Sequence, residues 1–149
     1  MNFSMWIQAL TRMPKTTQAE WDALDLVSRW LIATRSAVLI LTFISCAIAG
    51  LLAWRDGCFD FQLWGLMTLG LLLAHATNNL LNDLVDFAKG VDEDDYFRNQ
   101  YGTQPLAQGY ISYRQFAGYV VLTGGGALLI GITLALRGGP EVLWLFGAG

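Results

Sequence analysis

The sequence predicts an all-α membrane protein with about three complete transmembrane helices and the start of a fourth, the first part of a multi-helix bundle. Three observations carry that prediction. The chain is 54% hydrophobic and only 14% charged, with a mean hydropathy of +0.43, whereas soluble domains carry roughly 25% charge. Apolar runs at 31–53, 61–82 and 115–136 each have the length needed to cross about 30 Å of hydrocarbon. The charge is also clustered. Six of the twelve acidic residues (Asp83, Asp86, Asp92, Glu93, Asp94 and Asp95) lie within 83–95, leaving six acids and eight bases elsewhere. No basic patch marks a nucleic-acid partner.

Residues 1–30 read as a cytoplasmic lead-in. Positions 1–17 lack the charged start, apolar centre and small-residue cleavage site of a signal peptide, so the first membrane helix is expected to direct insertion. Within 17–30, Trp21, Leu24, Val27/Ser28 and Leu31 recur at helical spacing, predicting a helix on the cytoplasmic surface. A plain solvated lead-in is the competing reading. The first span is 31–53, followed by a short external turn at 54–60. The second span, 61–82, is polar only in its last turn. Residues 83–114 form a cytoplasmic connector, and 115–136 is the third span. Its Gly124-Gly125-Gly126 triplet serves either close helix packing or a kink. Residues 141–149 begin a fourth apolar segment too short to cross a bilayer, so the chain reads as the amino-terminal part of a longer protein.

Orientation follows from Lys and Arg in the short flanks. Arg12, Lys15, Arg29 and Arg35 lie at the amino-terminal side, and Lys89, Arg98 and Arg114 in the connector, against Arg55 and Arg137 opposite. This predicts a multi-pass protein of the cytoplasmic membrane, with the amino terminus and the acidic connector both cytoplasmic. Trp21, Trp30, Trp54, Trp64 and Trp144 fall near span ends, as an aromatic belt would. Cys46 and Cys58 are read as incidental thiols, neither disulfide halves nor metal ligands.

The chemistry concentrates at the end of the second span. Asn82 and Asp86 are i and i+4; Asn79, Asp83 and Asp86 are i, i+4 and i+7, so one helical side carries amides and then carboxylates. His75 and Asn78 lie about one turn earlier. A carboxylate near hydrocarbon depth costs roughly 2.5–3.5 kcal/mol on insertion scales. Oxygen ligands at this density suit Mg²⁺, which takes one or two carboxylates and completes its shell with water and phosphate oxygens. The metal would in turn attract an anionic diphosphate. Glu93, Asp94 and Asp95 read as a solvated loop, and His75 as an interhelical hydrogen-bonding residue. No EF-hand spacing, HExxH, CxxC or Walker loop is present.

Asn82-Asp83-Leu84-Val85-Asp86 resembles the first aspartate-rich motif, N-D-x-x-D, of the UbiA-type intramembrane prenyltransferases. Asn79-Leu80-Leu81 before it and Lys89-Gly90-Val91-Asp92 after it are most similar to the 1,4-dihydroxy-2-naphthoate polyprenyltransferase branch of menaquinone synthesis. Gln104-Pro105-Leu106-Ala107-Gln108-Gly109-Tyr110-Ile111-Ser112 resembles that family's RPLxxG-x-I-S run, and Arg35 sits near where the family often carries an Arg. The resemblance covers about residues 30–149 and is specific in 79–112. It departs at Gly90, where a third Asp is usual, and at Gln104, where an Arg is usual. The family's second aspartate-rich motif does not occur.

The resemblance implies a UbiA-like helical bundle that transfers a polyprenyl group from polyprenyl diphosphate to an aromatic acceptor in menaquinone or other quinone synthesis. It implies that Asn82 and Asp86 hold Mg²⁺, with Asp83 and Asp92 in support and Asp83 and Asp86 serving catalysis. Asn79, Lys89 and Arg98 would meet the diphosphate, and Arg35 and Gln104 would touch acceptor or diphosphate. The chain alone is expected to be inactive, needing further carboxy-terminal helices or a partner chain to complete the site. The competing readings are a non-catalytic partner subunit and a cation-binding or transport membrane protein.

Overall fold

The structure, a computed structural model, describes residues 2–90 and 102–138. Asp92, Arg98, the acids at 93–95 and the segment at 141–149 lie outside the described residues.

The lead-in folds as three short helices. Helix α1 (Phe3–Thr11) starts where the Asn2 side chain accepts from Met5 N. Helix α2 (Gln18–Asp22) opens on a capping box, the Thr17 hydroxyl and Glu20 carboxylate each taking the other's backbone N–H, which meets two of the donors a helix start leaves open. Helix α3 (Leu26–Ala33) is capped by Asp25, whose extended backbone separates it from α2. The surface helix expected over 17–30 is thus interrupted, because Asp25 restarts the helix rather than continuing it. Ala9, Trp21, Leu24, Leu31 and Ile32 form a core that joins all three, with Met5, Trp6 and Tyr110 packed against it. Trp21 is 1% exposed, so it is a core residue and not part of a belt.

The run 31–53 is not one helix. Helix α3 stops at Ala33, Arg35 takes a left-handed backbone at φ 54, a 3₁₀ turn covers Ser36–Val38, and helix α4 (Leu39–Arg55) follows. The Thr34 hydroxyl lies 2.9 Å from the Trp30 carbonyl and 2.8 Å from the Ser36 hydroxyl, local bonds of the kind that compete with helix continuation. Helix α5 (Phe61–Ala88) runs past the apolar region that ends at 82, carrying Asp83 and Asp86 as helical residues. It ends at Lys89, with Gly90 left-handed at φ 67, the terminus glycine makes easiest. Helix α6 (Tyr113–Gly138) begins two residues before the expected 115. Ser112 and Gln115 satisfy each other's backbone N–H groups there, another capping box.

Every described element is helical, with no strand among the described residues. Two stretches are long and apolar enough to cross a membrane, Ser36–Arg55 and Tyr113–Gly138, and only 22% and 6% of their most apolar windows are buried inside the fold. Core helices of soluble proteins would be mostly covered. Helix α5 is longer, but His75 and the asparagines of its second half lower its hydropathy. It lies between α4 and α6 and packs most extensively on α6. Gly124 lets Thr77 approach, a Cβ there falling 3.1 Å from the threonine methyl, and Gly126 faces Leu73, whereas Gly125 faces open space. Two glycines of the triplet therefore serve close packing.

Helices α4 and α5 approach closely at Gly50. A Cβ on Gly50 would lie 2.6 Å from the Trp64 indole nitrogen, which donates to the Cys46 carbonyl at 2.8 Å. The ring cannot shift without breaking that bond. Gly50→Ala is expected to destabilise the protein by about 1–3 kcal/mol, the cost of overpacking, whereas Gly125→Ala stays near neutral; reversible unfolding in detergent reads both. A second prediction concerns pH. The backbone N–H of Ser28, then those of Asn2 and the Trp6 indole, hold the Asp25 carboxyl down at about 2 from its ordinary 3.8, burial opposing them. A depressed carboxyl stabilises the folded form above its ordinary value and loses that contribution as pH falls. The docking of α1 on α3 should therefore weaken between pH 3.8 and about 2. Hydrogen exchange in α1 should rise across that window, and Asp25→Asn should remove the dependence.

Candidate functional site

The carboxy-terminal half of α5 carries two stacked polar columns, each with members four residues apart. Asn79 and Asp83 form the first and face into the fold, 8% and 7% exposed. Asn79 Nδ2 donates to the Thr34 carbonyl at 2.9 Å, and Asp83 pairs with the Arg35 guanidinium. Both partners belong to the α3–α4 break. The second column holds Asn82, exposed, and Asp86, half-buried; Asp86 is not without partners of its own. Higher on the same helix, His75 Nδ1 and the Thr42 hydroxyl are 2.7 Å apart, an α4–α5 bond of the interhelical kind expected of that residue.

Residues 102–112 of the connector pack against this end of the bundle. Leu106, 3% exposed, packs with Ala33, Leu80 and Phe116. Residues 103 and 110 are tied to the segment after α1. Thr103 N donates to the Pro14 carbonyl at 3.1 Å, Thr16 N to the Thr103 hydroxyl at 2.7 Å, and the Tyr110 hydroxyl to the Thr16 carbonyl at 3.0 Å. Gly102 is forced by the same approach, since a Cβ there would sit 2.8 Å from Met13 Cβ.

Two cavities flank Leu31. One, of about 230 Å³, is lined by Arg12, Arg35, Thr103 and Gln104 together with Ala9 and Leu31. The other, of about 440 Å³, is walled by Leu10, Trp30, Leu31, Phe43, Leu69 and Leu72 and is almost wholly apolar. A guanidinium-bearing chamber beside a hydrocarbon-lined one suits an amphiphile with an anionic head.

Among the residues proposed from sequence, the structure brings Asn79, Asp83 and Arg35 together, and Arg35 and Gln104 to one cavity. Asn82, Asp86 and Lys89 do not line that cavity; Lys89 caps α5 and is exposed. Asp92 and Arg98 lie outside the described residues. Among the described residues no three His, Cys, Asp or Glu side chains converge on one point. Mg²⁺ does not need such a cage, because one or two carboxylates suffice when phosphate oxygens and water complete its shell. Asn82 and Asp86, one turn apart with oxygen donors, fit that donor set. Sequence reading missed Thr34 and the placing of Arg12. The signal for α1 was present in Asn2 followed by Phe3, Trp6, Ile7 and Leu10 at helical spacing.

Searches of the curated proteins and of the solved structures return no match. The family model described as the UbiA prenyltransferase family matches residues 43–149. That span holds most of the chain, including the whole of α5 with its polar columns, the connector and α6, and the chain accordingly belongs to the UbiA prenyltransferase family.

Proposed function

We propose that the protein transfers a polyprenyl group from its diphosphate to an aromatic acceptor within the membrane, in menaquinone or a related quinone synthesis. The observation that carries the reading is the pair of columns on α5, in a chain of this family. The inward column, Asn79 and Asp83, positions Arg35. The outward column, Asn82 and Asp86, offers oxygens to Mg²⁺, with Asp92 assigned a supporting part. When bound, the metal supplies charge that stabilises the departing diphosphate. The chain's own residues do the rest. Arg35 and, by the sequence resemblance, Lys89 and Arg98 attract the diphosphate oxygens, and Gln104 offers an amide. Leu10, Leu31, Phe43 and Leu69 supply dry walls for the prenyl chain, in a space of about 440 Å³, and water exclusion protects the allylic cation.

Ionisation breaks the allylic C–O bond, and both electrons leave with the diphosphate. The acceptor ring then donates an electron pair to the allylic carbon and loses a proton. The sequence similarity around Lys89-Gly90-Val91-Asp92 favours a naphthoate acceptor. The membrane topology that goes with this reading has three spans and the start of a fourth, with the amino terminus and the connector cytoplasmic. A cation-transport reading fits less well, because the Arg35 guanidinium stands against the buried Asp83 carboxylate and opposes a cation path. A non-catalytic partner subunit would bind diphosphate without transfer.

Two outcomes test the assignment. In the full-length protein, Asp86→Ala should lower Mg²⁺-dependent prenyl transfer by about 10²-fold or more, the scale of losing one preorganised electrostatic contact. Unchanged transfer would remove Asp86 from the site. Asp83→Asn should destabilise the fold by about 2 kcal/mol, less than the roughly 3–5 of breaking a fully buried pair, because the Arg35 side chain is 23% exposed. The double variant Arg35→Met/Asp83→Leu should recover stability but not transfer. Recovery of both would reduce the pair to a structural role.

A further inference from the structure

We infer that the amino-terminal segment is part of the binding site, and that Arg12 is a binding residue for the phosphate oxygens of a diphosphate head group. The identity of the anion rests on the prenyl diphosphate reading above, whereas the existence of the anion site does not. Helix α1 and the segment after it lie outside the residues matched to the family, 43–149, so nothing in that match assigns them a role.

The cavity beside Leu31 has two guanidinium groups on its wall, Arg12 and Arg35, brought from positions 23 residues apart. Arg35 has a carboxylate partner in Asp83. Arg12 makes no ion pair among the described residues. Among the described residues, the wall therefore carries one positive charge without a carboxylate partner. Gln104, 8% exposed, lines the same space, and no side-chain hydrogen bond holds its amide among the described residues. Guanidinium and amide donors converging on one chamber are the donor set of a phosphate-class anion.

The placing of Arg12 is built. Its backbone N–H closes α1 on the Gln8 carbonyl at 2.8 Å. The next residues are fastened to the connector by the Thr103–Pro14, Thr16–Thr103 and Tyr110–Thr16 bonds. Gly102 allows Met13 to pass at a distance no side chain at 102 would permit. Residues 12–16 thus form a strap fastened to the connector, with Arg12, Met13 and Pro14 on the wall of the cavity. The same α1 contributes Leu10 to the apolar cavity, so one helix touches the spaces proposed for head and tail alike. The strap also supplies a positive charge beside Gln104, which itself carries none.

The test is titration of the full-length protein with inorganic diphosphate and Mg²⁺ in phosphatidylcholine nanodiscs, which present no net anionic head group. Arg12→Gln should weaken binding about ten-fold or more, the scale of one hydrogen bond to a charged group, and Arg12→Lys should restore a large part. Gly102→Ala, which keeps both arginines but displaces Met13, should weaken it too. In the transfer assay Arg12→Gln should raise KM for the prenyl diphosphate and leave KM for the acceptor unchanged. Diphosphate binding by Arg12→Gln equal to that of the wild type overturns the proposal, whatever the transfer assay gives. A loss seen only as weaker association with phosphatidylglycerol nanodiscs also overturns it, assigning Arg12 to lipid head groups. If Arg12→Gln loses diphosphate binding while the wild type prenylates no aromatic acceptor, the anion site stands and the transferase reading falls.

Discussion

A break in a helix within an apolar bundle leaves backbone groups that water does not reach, and the rest of this structure is arranged around one such break. At Thr34 and Arg35 the chain leaves α3, passes through a left-handed residue and re-enters a helix by a 3₁₀ turn. An unmet buried carbonyl costs about 1–3 kcal/mol, and more where hydrocarbon surrounds it. Asn79 meets the Thr34 carbonyl from α5, and Asp83, one turn later, meets the guanidinium that the left-handed backbone turns towards it. The stabilisation is mutual. Without the break, Asn79 would lose the Thr34 carbonyl and Asp83 the Arg35 guanidinium, and without that column the break would lose both of these contacts.

This mutual dependence divides the polar end of α5 into two kinds of residue that look alike in sequence. Asn79 and Asp83 repeat at four residues and face the break; Asn82 and Asp86 repeat at four residues and lie on the neighbouring column. The first pair is committed to Thr34 and Arg35, while Asn82 stays exposed. Gly90 fits the same geometry. The helix ends at its cap Lys89, and the left-handed φ of 67 at Gly90 suits glycine better than a residue with a side chain.

What could be read from the sequence, and what could not, follows the range of the interactions. The polar turn of the second span was legible because helical spacing alone puts Asn79, Asn82, Asp83 and Asp86 on adjacent columns. The all-helical class was legible from apolar runs of sufficient length. The break at 34–35 was not, because it has no Gly or Pro to mark it and a left-handed arginine is uncommon. Hydropathy ends the second span at 82, whereas the helix runs on to Ala88, as the spacing of Asn82 and Asp86 requires; the apolar run and the helix are different lengths. The role of Trp21 depended on Ala9 and Tyr110, far away in sequence. The strap was beyond reach for the same reason: Thr16 and Thr103 are 87 residues apart, and no periodicity links them.

Charge is placed so that these long-range contacts matter. At one end of the bundle, the carboxylates of Asp83 and Asp86 stand on α5, while Arg35 comes from the break and Arg12 from α1. Opposite charges at such a site interact more strongly than in water, because low-polarity walls weaken screening. The connector is clamped on one side by the core of Leu106, Leu80 and Phe116 and on the other by the strap. Its described part is held by contacts to α6 and to the segment after α1 together. The cationic wall of the small cavity therefore forms together with the fold, held to fixed geometry by contacts from both ends of the described chain. Such fixed donors need little reorganisation when an anion arrives, which is the condition under which electrostatic stabilisation is most effective. The adjoining apolar cavity meets the complementary need of a hydrocarbon tail, and Leu31, common to both, marks where head and tail of one amphiphile would join.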